Sequence, residues 1–210
     1  MEVRFWTDFV CPYCYGAEHL FLEVLKELGK EDAVRLIPMS FELNPALAKD
    51  LRQGLLEYWA MEQHSSIDTI RSQYQESMDF LTQAGLHADL DLMKVTNTHD
   101  AHKVYHYAEE EGVGLEYFIQ AQKAHFSEGV YLSDHEVLLG IAQSVGLNGQ
   151  NVRKVLELDE YSQKVKLEHE AGIAKNIQYV PHFVFPSGRS IEGVLGAGEI
   201  RHAILQELDV

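Results

Sequence analysis

Near the start of the chain, Val3, Phe5, Phe9 and Val10 gather around Trp6 over residues 2–10, a short apolar segment of the kind that forms a buried strand. From residue 14 the period changes. Ala17, Leu20, Phe21, Val24, Leu25 and Leu28 recur at helical spacing, and Gly29 follows in the position that commonly ends a helix. The run from Val34 to Phe41 predicts a second strand, in which Pro38 points to an edge or a local break. The first 44 residues therefore predict β-α-β.

From about Asn44 to Asn176 helical patterns follow one another with little strand signal. Ser133-Asp134-His135-Glu136 has the form of a capping box that starts one helix, and Gly146 is placed to end it. Gly112, Gly129 and Gly146 recur at an interval of 17 residues, as in short helices joined by glycine turns, but their flanks do not match as a repeat would. Strand signal returns at Pro181-His182-Phe183-Val184-Phe185. A Pro-Ser-Gly turn at 186–188 leads into a second arm from Ser190 to Leu195, and Ile200, Ala203, Ile204 and Leu208 predict a closing helix.

Neither end of the chain holds enough strands to make a stable sheet alone. The expected architecture is thus an α/β domain of residues 1–44 plus 177–210, interrupted by an inserted helical domain of residues 45–176.

Composition adds limits. With 210 residues, 46% of them hydrophobic, the chain is long enough to bury a core without disulfide staples. Its 33 acidic against 17 basic residues give a net charge of −16, a surface that repels phosphate backbones and anionic headgroups. Nucleic acid and membranes are therefore not expected partners. The first residues, MEVRFWTDFV, lack the basic start and apolar core of a secretory leader, so the expected compartment is the cytoplasm.

The only two cysteines, Cys11 and Cys14, stand two residues apart where the first strand gives way to the first helix. In such a compartment that spacing signals redox or metal chemistry. Cys11 falls at the N-terminal end of the helix, where orphan N–H groups and the macrodipole stabilise a thiolate, and Pro12 suits the first helical position. Cys14 lies one turn further in and is expected to stay protonated. The asymmetry fits a cycle in which Cys11 exchanges with a partner and Cys14 resolves the mixed disulfide. Two other readings stay open on these residues. A zinc site would need two more ligands, which His99 with His102, or His102 with His106, would supply. An inert buried pair is the second.

The segment Asp8-Phe9-Val10-Cys11-Pro12-Tyr13-Cys14-Tyr15 resembles the active-site segment of the DsbA-like thioredoxin superfamily, in particular its FrnE-type branch. That branch also holds 2-hydroxychromene-2-carboxylate isomerases and kappa-class glutathione transferases. Asn97-Thr98-His99-Asp100-Ala101-His102 resembles a segment of the family's inserted helices, Val180-Pro181-His182-Phe183-Val184-Phe185 its cis-proline segment, and Gly196-Ala197-Gly198-Glu199 the opening of its last helix.

The resemblance spans the chain and implies a thioredoxin-like fold interrupted by a large helical insertion. It also implies that Pro181 is cis beside the cysteines, with the Val180 backbone pairing with a peptide or thiol substrate and Pro12 and Tyr13 lining that site. The isomerases and transferases carry serine where Cys11 stands and lack the second cysteine, so the pair argues for a dithiol–disulfide oxidoreductase; the alternatives are a glutathione-dependent transferase or isomerase of the same fold and a zinc-binding or chaperone-like module without enzymatic activity. The implied substrates are protein or low-molecular-weight thiols and disulfides. The cysteine pair is the redox centre, no metal or other cofactor is expected, and glutathione stays open as a co-substrate. Monomer and homodimer are both open.

Around the pair, Asp8 reads either as a proton acceptor for Cys14 or as a solvated cap at a strand end. Trp6, Tyr13 and Tyr15 suit an apolar groove, though Trp6 suits a core better. Asn97 and His102 are candidate modulators through the resemblance alone.

Overall fold

The structure, a computed structural model, describes residues 1–208. Its main sheet joins the two ends of the chain. Strand β1 (Glu2–Thr7) lies inside it, parallel to β2 (Arg35–Ser40) and antiparallel to β5 (His182–Val184), which pairs in turn with β6 (Ser190–Glu192), for the order β2-β1-β5-β6. Pro38 stands opposite Phe5 on β2, an edge strand, where its missing N–H costs no ladder bond to a further strand.

Side chains of β1 alternate between two faces. Val3 and Phe5 point to the face covered by α1 (Pro12–Leu28) and α9 (Ala197–Leu208). There Phe183 stacks between Phe5 (4.3 Å between ring centres) and Phe21 of α1 (5.2 Å). Trp6 is buried on the other side with Phe41 and Ile177, as its expected core role requires. Gly29 ends α1 with φ +61°, a left-handed conformation open to glycine at little cost.

Between β2 and β5 run β3 (Gln53–Gly54), α2 (Leu55–Glu62), α3 (Ile67–Gln83), β4 (Lys94–Val95), α4 (His99–Glu110), α5 (Gly114–Lys123), α6 (His135–Ser144), α7 (Gly149–Glu157) and α8 (Asp159–Ala174). The strands β3 and β4 pair only with each other, and two residues are too few to carry a period-2 signal. Between α5 and α6 the helix widens into a π-helical turn, Ala124–Glu128.

Gly112, Gly129 and Gly146 follow helix ends with φ of +80°, +68° and +91°. At Gly129 a Cβ would also stand 2.2 Å from the Leu92 carbonyl oxygen, so shape and conformation both demand glycine. The expected capping box at 133–136 is not formed. Asp134, one residue later, is the N-cap and accepts the Glu136 N–H at 2.9 Å, while Ser133 donates its N–H to Thr96. Asp competes well with Ser for the cap, and Ser133 has another partner.

Helices α4 to α7 enclose a second apolar core, built from residues such as Tyr105, Tyr117, Phe118, Leu138 and Val152. Phe9, just past β1, enters this core and stacks on Phe118 at 4.1 Å. The stretch between β1 and α1 is thereby fastened to the helical segment on one side and to the sheet core on the other.

Candidate active site

That stretch carries the cysteines. The Asp8 carbonyl accepts the Cys11 N–H at 3.2 Å, closing a turn that leaves Cys11 as the N-cap of α1, with φ −87° and ψ 112°. Pro12 opens the helix at N1, where the N–H it lacks would be orphaned. The Cys11 sulfur takes the role a serine or aspartate oxygen plays at other caps: it accepts the Cys14 N–H at 3.3 Å. Negative charge on that sulfur would meet an N–H donor and the positive end of α1.

Cys14 is wholly buried, and both cysteines are free thiols. Burial, first, pushes the Cys14 thiol well above its ordinary range, and the adjoining Cys11 sulfur adds to this; the Asp8 backbone and the Thr7 hydroxyl oppose it. The Thr7 hydroxyl is itself buried with no other hydrogen-bond partner.

The loop before β5 packs against the first sulfur. The Val180–Pro181 peptide bond is cis, and the Val180 carbonyl oxygen lies 3.8 Å from Cys11 Sγ. Among the described residues the Val180 N–H makes no hydrogen bond. Cys11, Pro12, Tyr13, Tyr74, Tyr179 and Val180 border a groove of about 320 Å³. Tyr13 tilts against Phe80 (5.7 Å) at its wall, whereas Tyr15 points away, buried and stacked on Phe126. Val180, Pro12 and Tyr13 thus meet at the groove beside Cys11, with Pro181 joined to Val180 by the cis bond.

Asp8 is buried, and neither of its carboxylate oxygens is hydrogen-bonded to a sulfur. One accepts the Phe9 N–H at 2.8 Å and faces His102 Nε2 at 3.3 Å, and the other accepts the Leu43 N–H at 2.7 Å. The side chain is neither a solvated cap nor a partner of Cys14; it ties the loop after β2 and helix α4 to the stretch holding the cysteines. His102, fully buried, completes that tie and packs on Phe9 at 4.7 Å. Asn97 lies further off, donating to the Leu47 carbonyl and accepting the His99 N–H, which fixes the start of α4.

The histidines considered for zinc go elsewhere. His99 sits between Glu42 and Ser162, and His106 faces Ser40 and Glu168. No group of three or more metal-binding side chains comes together among the described residues. Nor is any described helix long and apolar enough to cross a membrane.

Two buried polar residues escaped the sequence reading. Glu18, one turn beyond Cys14, is buried with one carboxylate oxygen unpartnered, and burial pushes its carboxyl well above the usual range. Its signal was available: position 18 lies on the same helical face as Cys14, Ala17 and Phe21. His125, in the π-helical turn, comes close to the stretch after β1 only through the tertiary fold.

A short parallel β-α-β unit, completed by a hairpin with a proline loop against an N-cap cysteine, defines a thioredoxin-type dithiol protein. The chain belongs to the DSBA-like thioredoxin domain family, whose model matches residues 2–205. It is 27% identical over 209 residues to the uncharacterized protein YwbO of Bacillus subtilis, covering 99% of this chain and 97% of that one. The crystal structure of the probable DsbA oxidoreductase SCO1869 from Streptomyces coelicolor superposes with a TM-score of 0.90 at 26% identity, over 100% of this chain and 90% of that one. The cytosolic disulfide reductase DsbM of Pseudomonas aeruginosa, solved with GSH, shares the fold with a TM-score of 0.66 at 18% identity, over 100% of both chains.

Proposed function

We propose that the protein is a thiol–disulfide oxidoreductase in which Cys11 is the nucleophile and Cys14 the resolving thiol. The observation that carries this reading is the division between the two sulfurs. One caps a helix at the wall of a groove, and the other is sealed behind it with its proton held by burial. In the reductive direction, the Cys11 thiolate attacks a substrate disulfide; the S–S bond breaks, one thiolate leaves, and a mixed disulfide forms. Cys14 then gives up its proton and attacks Cys11 Sγ, releasing the second substrate thiolate and leaving a Cys11–Cys14 disulfide. Two molecules of a low-molecular-weight thiol restore the dithiol and leave joined as their own disulfide, and the same steps in reverse oxidise a substrate dithiol.

The free Val180 N–H and its carbonyl suit an extended substrate main chain, and Pro12, Tyr13 and Val180 supply apolar wall. Glutathione as the reducing thiol and a cytosolic setting are both supported by the likeness to DsbM. A glutathione-dependent transferase or isomerase would have no use for Cys14, and a zinc-binding module would need ligands that the nearby histidines do not present.

The test is turnover of a glutathionylated peptide with glutathione as reductant. The wild-type protein should turn over, Cys11→Ser should lose activity by at least about a thousandfold, and Cys14→Ser, given the glutathionylated peptide with no free glutathione, should accumulate a mixed disulfide on Cys11. Absence of any trapped species in Cys14→Ser, or stoichiometric zinc in anaerobically purified protein, would defeat the reading.

A further inference from the structure

A second group of reactive side chains lies away from the cysteines. It lines an open cleft of about 590 Å³ between the loop after β2, the start of α4 and one face of α8, and none of the lining residues borders the groove beside Cys11. On its wall Ser162 Oγ lies 2.9 Å from His99 Nε2, and His99 Nδ1 lies 3.2 Å from a carboxylate oxygen of Glu42. A carboxylate can only accept, so Nδ1 carries the hydrogen. On the neutral ring Nε2 is then the acceptor, and the Ser162 hydroxyl donates to it. The sequence hydroxyl, imidazole, carboxylate is the one that activates a serine as a nucleophile.

Both partners of the serine are held by further contacts. Asn97 Oδ1 accepts the His99 N–H at 2.9 Å. The Glu42 N–H donates to His169 Nδ1 at 3.1 Å, and the His169 ring stacks on Phe41 at 4.8 Å. Glu42 is buried, whereas His99 and Ser162 are only partly covered. The other close histidine–carboxylate pair of this kind, His102 with Asp8, is sealed, and its second ring nitrogen meets no hydroxyl. That pair is a tie; at His99 the second nitrogen holds a serine at an open cleft.

Negative charge developing on a substrate oxygen at Ser162 has two donors on the same helix. Asp159, one turn before, has a backbone N–H with no partner among the described residues, at a helix start that lacks a side-chain cap. Lys166 lies one turn after, and both residues line the cleft. The carboxylates of Glu42, Asp159 and Glu170 stand there against the one ammonium, so an acyl group with a carboxylate of its own is disfavoured.

The geometry points to a second, hydrolytic site in which Ser162 is the nucleophile, His99 the general base and Glu42 the positioning carboxylate, acting on esters with an uncharged acyl group. Ser162 Oγ bonds to the ester carbonyl carbon as its proton passes to His99 Nε2. The bond to the alkoxy oxygen breaks, that oxygen takes the proton and leaves as the alcohol, and the acyl group stays on Ser162. Water then gives a proton to His99 and its oxygen to the acyl carbon, which releases the carboxylic acid and restores Ser162. This chemistry uses neither cysteine and does not depend on the oxidoreductase reading.

The experiment treats the wild-type protein with a fluorophosphonate, which marks activated serines, and maps the adduct by mass spectrometry. Hydrolysis of p-nitrophenyl acetate is followed in Cys11→Ala protein, where the thiolate cannot contribute. Expected are an adduct on Ser162 and, in that background, a kcat lower by at least about a hundredfold in Ser162→Ala and in His99→Gln. Glu42→Gln should lower kcat by at least about tenfold and leave KM unchanged, a split that loss of structure alone would not give. Should Glu42→Gln fail to fold, the adduct map and Ser162→Ala, a change at a half-buried helical position, still decide. An adduct on another serine, no adduct at all, or equal hydrolysis with and without Ser162 would overturn the site.

Discussion

The two sides of the first turn of α1 use the same residue type for opposite ends. On the groove side, Cys11 has an N–H donor, a helix terminus and the wall of a cleft about it. On the sealed side, Cys14 sits in the sheet core with Val3, Phe21 and Phe183, and its thiol is held protonated by that burial. In the dithiol cycle we propose, the difference places the order of attack on position along one helical turn, with no charged side chain bonded to either sulfur. Asp8, the obvious candidate for such a charge, is spent on holding loops together.

The heaviest blow to this arrangement removes the wedge that holds the turn in place. Phe9→Ala, at a fully buried ring stacked on Phe118, should destabilise the protein by about 3–5 kcal/mol, read as a fall in the denaturant midpoint. Next comes Asp8→Asn, which leaves the Phe9 and Leu43 N–H groups facing an amide that can accept at only one atom. A loss of about 1–3 kcal/mol is expected, with no change in which cysteine alkylates first; a change would show that Asp8 acts on the sulfurs after all.

A subtler test acts on the sealed side alone. The Thr7 hydroxyl lowers the Cys14 thiol, so Thr7→Val raises it further and leaves less thiolate at pH 7. Resolution of the mixed disulfide should therefore slow at pH 7, because the thiolate is the attacking form. The deficit should hold from pH 7 to pH 9, since burial keeps the Cys14 thiol protonated across that range, and close only at strongly alkaline pH; a deficit that persists there would assign the effect to packing instead.

The smallest effect expected is at Glu18. Its carboxyl is raised in the folded state, so its neutral form is favoured there, and the stability it permits is full below the unfolded value and lost as pH rises through the folded one. Glu18→Gln should therefore raise Tm more at pH 8 than at pH 5, with a gain of about 2–4 °C at the higher pH, the shift that roughly 1 kcal/mol produces in a chain of this size.

Much of this was legible in the residues. The apolar stripe of α1 and the glycine after it marked the helix to within a residue, because periodicity and capping act locally. The strands at the two ends were legible for the same reason, and their joining followed from neither being able to form a sheet alone. The pairing of Asp8 with His102 and Leu43 was not legible, nor was the approach of His125 to the stretch after β1. These contacts cross dozens of residues, and a polar side chain leaves no period by which its distant partner can be read. At Asp134 two adjacent residues were both good caps, and the tertiary bond of Ser133 to Thr96 settled the choice.

The central claim, that position on one turn of α1 makes Cys11 the reactive sulfur and Cys14 the reserve, is tested most directly by alkylating the fully reduced protein at pH 6 with a limiting amount of iodoacetamide and mapping the product by mass spectrometry. The account predicts label on Cys11 in large excess, with Cys14 labelled only after unfolding or at strongly alkaline pH. Preferential label on Cys14, or equal and slow label on both, would contradict it.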